Sequence, residues 1–139
     1  MKVSFIGAGP GDPELLTIKG HKILQQAGYC IYAGSLVNEE LLKLLPSHAK
    51  VYDSSRMSLE EMVVVYKEAR ERNIDVARVH SGDPSIYGAI QEQIRALDEL
   101  GIPCEIIPGV SSFVAAASVL KKELTLPGVT QTIVITRME

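Results

Sequence analysis

The stretch Ser81-Gly82-Asp83-Pro84-Ser85-Ile86-Tyr87-Gly88 gathers a carboxylate, three hydroxyl side chains and two glycines into eight residues. Such a set suits binding better than acid–base work: glycines let backbone approach a ligand closely, and a carboxylate can face a cation. A purely local role is also open. Asp83 followed by Pro84 has the form of a helix start, with an N-cap carboxylate and then proline at the first helical position. The two roles are compatible, because a helix start also presents free N–H donors.

Two further stretches have the same character. Gly7-Ala8-Gly9-Pro10-Gly11-Asp12-Pro13 follows an apolar run, and Pro108-Gly109-Val110-Ser111-Ser112 follows another. The first invites a dinucleotide reading and fails it. The fingerprint Gly-x-Gly-x-x-Gly needs glycine where Asp12 stands, and the acidic residue expected about 20 residues on is missing from Cys30-Ile31-Tyr32-Ala33-Gly34-Ser35. Two prolines make it a stiff rim for a cleft. In the third stretch Ser111 or Ser112 is a natural N-cap, and no His or acid stands in a nucleophile-activating pattern beside them. His21, His48 and His80 are scattered, so no metal-ligand set is read.

The elements that must hold these turns alternate. Apolar segments at residues 3–6, 29–32, 49–52, 75–80 and 102–107 read as strands. Helices read from Thr17 as a cap, with Gly20, Ile23, Leu24 and Ala27 on one face; from Asn38, over 39–45; and from a Ser58/Glu61 capping box, with Leu59, Met62, Val63, Tyr66 and Ala69 inward. Ile86, Ile90, Ile94, Leu97 and Leu100 predict another helix, and residues 113–120 an apolar one buried on most sides. This alternation predicts an α/β fold with a mostly parallel five-stranded sheet and helices on both faces. Parallel strands bring the three turns to one sheet edge, where a single cleft could use them all. Residues 129–136 hold a strand-like run, Gln131-Thr132-Ile133-Val134-Ile135-Thr136. It reads as the opening of a second domain or as an extra edge strand.

Composition narrows the partners. The 139 residues support one domain, and a formal charge of -3 with no basic cluster argues against nucleic acid. No apolar run is long enough to span a bilayer, so no membrane partner is expected. Residues 3–6 read as a strand that leaves no room for a signal peptide. Cys30 and Cys104 lack Cys-x-x-Cys spacing and read as free thiols, which suits the cytoplasm.

Residues 3–13 with Leu15-Leu16-Thr17, then 81–88, then 107–112 together resemble the tetrapyrrole methylase family, in that order along the chain. The resemblance covers essentially the whole chain and the amino-terminal half of a typical member. It implies residues 1–128 as an amino-terminal α/β methylase domain, with 129–139 beginning a second domain. It implies methyl transfer from S-adenosylmethionine to a ring carbon of a precorrin-type tetrapyrrole, by a protein that commonly forms homodimers. Tyr32-Ala33-Gly34-Ser35-Leu36-Val37 and Val129-Thr130-Gln131-Thr132 look most like the branch acting at carbon 11 of precorrin-4 or cobalt-precorrin-4. By the same resemblance the donor pocket comprises Pro10, Ser81, Gly82, Asp83, Ile86, Ser111 and Ser112. Gly9, Gly11, Asp12, Ser35 and Arg56 are substrate-side candidates, Arg56 because an acidic substrate needs a local cation. No catalytic residue is assigned: sirohaem-forming relatives carry an aspartate after the residue equivalent to Tyr32, where this chain has Ala33 and Gly34. Donor contacts expected from the second domain make this amino-terminal half inactive by itself. The rival class is a nucleotide-binding oxidoreductase half-domain.

Overall fold

The computed structural model describes residues 1–138. Five parallel strands form one sheet: β1 (Val3–Gly7), β2 (Tyr29–Tyr32), β3 (Lys50–Asp53), β4 (Val76–His80) and β5 (Cys104–Ile107). Their order is β3-β2-β4-β1-β5, so β1 and β4 lie side by side near the middle. Both are buried throughout, as parallel strands covered on two faces are, although β1 carries Ser4 and β4 carries Arg78 and His80. Pro103 precedes edge strand β5, where a missing N–H costs no ladder bond.

Side chains alternate across the strands, and so do the two halves of the core. Val3, Phe5, Tyr29, Ile31 and Val76 meet Met62, Val65, Tyr66 and Ala69 of α2 (Leu59–Glu71) and Ile90 and Leu97 of α3 (Ile90–Glu99). On the opposite face Ile6, Cys30, Ala77, Val79 and Ile107 meet Leu24 of α1 (Ile18–Leu24), together with Ala27, Val37 and Leu41. Helices therefore cover both faces. In α2 the inward position is Val65 rather than Val63, a shift along the same stripe.

Local capping follows the sequence closely. Thr17 accepts from Gly20 N, Asn38 from Glu40 N, and Ser58 and Glu61 make the reciprocal capping box. The segment after Asn38 is a 3-10 helix, Glu39–Leu44. Gly20 lies so close to the sheet that a Cβ would come 3.0 Å from Ile6 Cγ2.

Three expectations are corrected. The helix after β4 does not begin at Pro84. Residues 84–87 make a separate turn, and α3 starts at Ile90 with Ala89 in the cap position. Tyr87 (φ 55°) and Ala89 (φ 49°) occupy left-handed backbone, which an α-helix cannot pass through, and a Cβ on Gly88 would collide with the Pro84 carbonyl. Second, α4 (Ser112–Val119) is not buried on most sides: only Ala117 is buried, and Val119 and Leu120 are 82% and 68% exposed. Its sequence is apolar all round, but this domain covers a single face. Third, residues 129–136 add no edge strand. Leu126 and Thr130 close a small turn with Gly128 at φ 77°, and residues 131–138 pair with no strand. Glu139, the last residue of that segment, lies outside the described residues.

Candidate functional site

Parallel strands end on the same side, so the turns after β1, β4 and β5 meet. Ala8 N donates to the His80 carbonyl at 2.7 Å, and Gly9 and Gly82 exchange backbone hydrogen bonds at 3.2 and 2.8 Å. The approach is too close for side chains. A Cβ on Gly7 would lie 2.6 Å from both Gly109 Cα and the Gly82 carbonyl, and one on Gly109 would lie 2.7 Å from Gly7 Cα. Gly82 takes φ 58°, a left-handed conformation that glycine adopts without strain. The three sequence-distant bends form one packed unit.

Asp83 ties that unit together. Its Oδ1 accepts from Ser85 N at 2.8 Å and from the Ser85 hydroxyl, and its Oδ2 accepts from Gly109 N at 2.8 Å. Burial pushes the carboxyl up, but the hydrogen bonds from Ser85 and Gly109 prevail and hold it below the ordinary carboxylate range. Asp83 therefore caps the 84–87 turn and clamps the third bend, instead of capping α3. Ser111 does stand at the N-cap of α4, yet its hydroxyl makes no capping bond and the residue is buried.

Beside these bends lies a cleft of about 660 Å³, within the size range of small-molecule sites. Pro10, Ser81, Gly82, Asp83, Ile86, Ser111 and Ser112 all line it, as does Gly9. The other substrate-side candidates do not. The Gly11 carbonyl accepts from Asn38 Nδ2, Asp12 caps the turn of residues 13–15 through Glu14 N, and Ser35 is exposed. Arg56 is exposed on the turn after β3, with Asp53 beside it. The cleft has lining that the sequence reasoning missed: Leu36, Tyr87, Phe113, Ile135, Thr136 and Arg137. The left-handed Tyr87 is the one with a local signal, its place between Ile86 and Gly88 in the singled-out turn. Residues 135–137 are brought in by the tail, which no periodicity predicts.

A smaller cavity of about 140 Å³ adjoins the cleft, sharing Leu36, Ser81, Ile86 and Tyr87 with it and adding Ala33, Arg78, His80 and Gly88. No group of three or more His, Cys, Asp and Glu side chains able to hold a metal occurs among the described residues. No helix among them is long and apolar enough to cross a membrane. Cys30 and Cys104 are both free thiols, Cys30 buried with its thiol pushed up to about 12 by burial.

The model of the tetrapyrrole (corrin/porphyrin) methylases matches residues 2–139. The chain belongs to this family. A cobalt-precorrin-4 C(11)-methyltransferase from Methanocaldococcus jannaschii is 57% identical over 138 residues, 99% of this chain and 53% of that protein. A precorrin-4 C(11)-methyltransferase from Pseudomonas aeruginosa is 53% identical over 99% of this chain and 54% of its own length. The chain thus spans about half the length of these curated relatives. Among solved structures, a cobalt precorrin-4 methyltransferase superposes with a TM-score of 0.96 at 48% identity, covering 99% of this chain and 58% of that one. A uroporphyrin-III C-methyl transferase from Thermus thermophilus, complexed with S-adenyl homocysteine, gives 0.76 at 34% identity over 92% and 51%. These tetrapyrrole methylases share the five-stranded parallel α/β architecture described above.

Proposed function

We propose that the protein transfers a methyl group from S-adenosylmethionine to carbon 11 of precorrin-4 or cobalt-precorrin-4, in cobalamin biosynthesis. The observation that carries this reading is the convergence of Gly9–Pro10, Ser81–Asp83 and Ser111–Ser112 on one cleft of about 660 Å³. The relatives named for this reaction supply the substrate. The relative complexed with S-adenyl homocysteine supplies the donor class.

The residues present fit such a donor. The cleft offers backbone polar groups at glycine turns, a carboxylate at Asp83 and apolar walls at Pro10, Ile86 and Phe113. Pro10, Ser81, Gly82, Asp83, Ile86, Ser111 and Ser112 would hold it. When bound, it supplies a methyl group already activated on a sulfonium. What remains for the chain is alignment and exclusion of water, which can lower such a barrier by about 7–11 kcal/mol in well-oriented cases. Asp83 acts through its loop, fixing the second and third bends and placing negative charge near the cationic donor. No acid–base pair is required of the lining residues.

The reading includes a homodimer and a cytoplasmic location, supported by the family resemblance and the free thiols. It also keeps the division after residue 128, where the 126–130 turn separates the sheet domain from the unpaired tail. An assay of the full-length protein with purified precorrin-4 and radiolabelled donor tests the activity. Labelled product methylated at carbon 11 is expected; no transfer, or transfer to another carbon, overturns it. The oxidoreductase reading finds no support, since the end of β2 carries no ribose-binding carboxylate.

A further inference from the structure

Arg78 is a buried cation without a counter-ion. It lies on β4, only 5% exposed, on the sheet face covered by α2 and α3. Its three hydrogen bonds go to neutral acceptors: Nε to Gln93 Oε1 at 3.1 Å, and Nη1 to the Ile31 and Val79 carbonyls at 3.3 Å each. None of the ion pairs among the described residues includes it. Gln93 is itself held, its Oε1 accepting from Tyr66 Oη at 2.8 Å and its Nε2 donating to the Ala89 carbonyl at 3.2 Å. The guanidinium is thus positioned with care and left uncompensated. An unpaired buried charge costs several kcal/mol, so a fold that retains one has a use for it.

His80, two residues on, faces the same way along the strand. It is also 5% exposed, and its Nε2 is buried with no hydrogen-bond partner. Burial, and then the charge of Arg78, pulls the imidazole down to about 3, so the ring is neutral near pH 7. A neutral imidazole can carry its proton on Nε2 and donate it. Arg78 and His80 both line the 140 Å³ cavity, which opens alongside the main cleft. Nη2, unused by the protein, remains for whatever enters.

We propose that this cavity is a carboxylate subsite, in which Arg78 and His80 receive one acidic side arm of the tetrapyrrole while the ring lies in the adjoining cleft. Two unsatisfied donors, one charged, match the two oxygens of a carboxylate. The position favours the tetrapyrrole over the donor's own carboxylate. The cavity shares the Leu36–Tyr87 side of the cleft; of the seven residues assigned to the donor it includes Ser81 and Ile86 but none of Pro10, Gly82, Asp83, Ser111 or Ser112. With Arg137 on the main cleft, it supplies a local cation that a chain of net charge -3 needs for a polyanionic substrate, where Arg56 stands off on the surface.

This inference rests on the methyltransferase reading of the cleft, and the test separates the two. Uroporphyrin, a stable tetrapyrrole octacarboxylate, and S-adenosylhomocysteine are titrated separately into full-length wild-type protein and R78M. The expected result is at least a tenfold loss of uroporphyrin affinity in R78M with S-adenosylhomocysteine affinity within twofold. Unchanged uroporphyrin affinity overturns the subsite. So does a loss confined to S-adenosylhomocysteine and not shared by 5′-methylthioadenosine, which lacks the carboxylate, because the arm would then be the donor's. Wild-type protein that binds neither ligand sinks the underlying reading as well. Should R78M not fold, the guanidinium 15N resonances of Arg78 in wild-type protein serve instead. They shift on adding uroporphyrin if the subsite exists, and stay fixed if Arg78 only braces the sheet.

Discussion

Asp83 and Gly109 are 26 residues apart in the chain, yet Asp83 Oδ2 accepts a hydrogen bond from Gly109 N at 2.8 Å. That bond joins the turn after β4 to the turn after β5. With the Gly9–Gly82 exchange it makes the cleft wall a single cross-linked unit. The shape of the cleft depends on this unit, and its parts can be removed one at a time.

Asp83→Asn keeps the shape but removes the charge. The amide oxygen cannot serve both Ser85 and Gly109 as two carboxylate oxygens do, so one charge-assisted bond worth about 1.5–3 kcal/mol is lost. Donor affinity should fall at least tenfold by calorimetry with S-adenosylmethionine, with the secondary structure retained by circular dichroism. Unchanged affinity would remove Asp83 from the site.

Gly109→Ala tests the close approach. Its Cβ would collide with the Gly82 carbonyl and lie 2.7 Å from Gly7 Cα, all backbone that cannot swing aside. Overpacking of this kind costs about 1–3 kcal/mol, read as a lower denaturation midpoint, and should abolish donor binding. Ser35→Ala, at an exposed position outside the cleft, should stay within about 0.5 kcal/mol of wild type.

His80 should impose a pH dependence on stability. The unfolded imidazole takes a proton below about 6.5, whereas the buried one stays neutral down to about 3. Between those values the unfolded state binds more protons, so stability declines as pH falls through that window. Urea titrations at pH 7 and pH 5 should show the decline in wild type, and His80→Gln should flatten it. An identical slope in both proteins would contradict the burial of an uncompensated imidazole.

Glu105 acts lower on the scale. Hydrogen bonds from Lys19 and Lys2 hold its carboxyl down to about 2. A depressed carboxyl stabilises the fold above its unfolded pKa, and that contribution fades as pH falls from about 4.5 towards 2. Glu105→Gln should therefore lose stability at pH 7 and converge on wild type near pH 2, measured by denaturant midpoints. A constant difference across that range would show that the ion pairs are not the cause.

Much of this architecture is written locally. The strands announce themselves by β-branched runs, and Thr17, Asn38, Ser58 and Glu61 mark helix starts through bonds made within three residues. The convergence of three glycine turns follows from strand parallelism together with the adjacency of β4, β1 and β5. What the sequence hid is set by tertiary contacts. Asp83-Pro84 has a helix-start pattern, but Asp83 also serves Gly109, and the left-handed Tyr87 and Ala89 delay α3 to Ile90. The apolar character of residues 113–120 says nothing about how many faces this domain covers. By type Arg78 is one charged residue in a strand, and only its burial without a counter-ion makes it a candidate for binding.

The proposed function requires the bends after β1, β4 and β5 to grip one donor molecule together. Backbone 15N–1H spectra of the full-length protein titrated with S-adenosylhomocysteine test it most directly. The amides of Gly9, Gly82, Ser111 and Ser112 should shift together along one binding curve. Shifts confined instead to the separate surface cleft lined by Pro13, Ile18, His21, Glu40 and Leu44, with those four amides unmoved, would contradict the account.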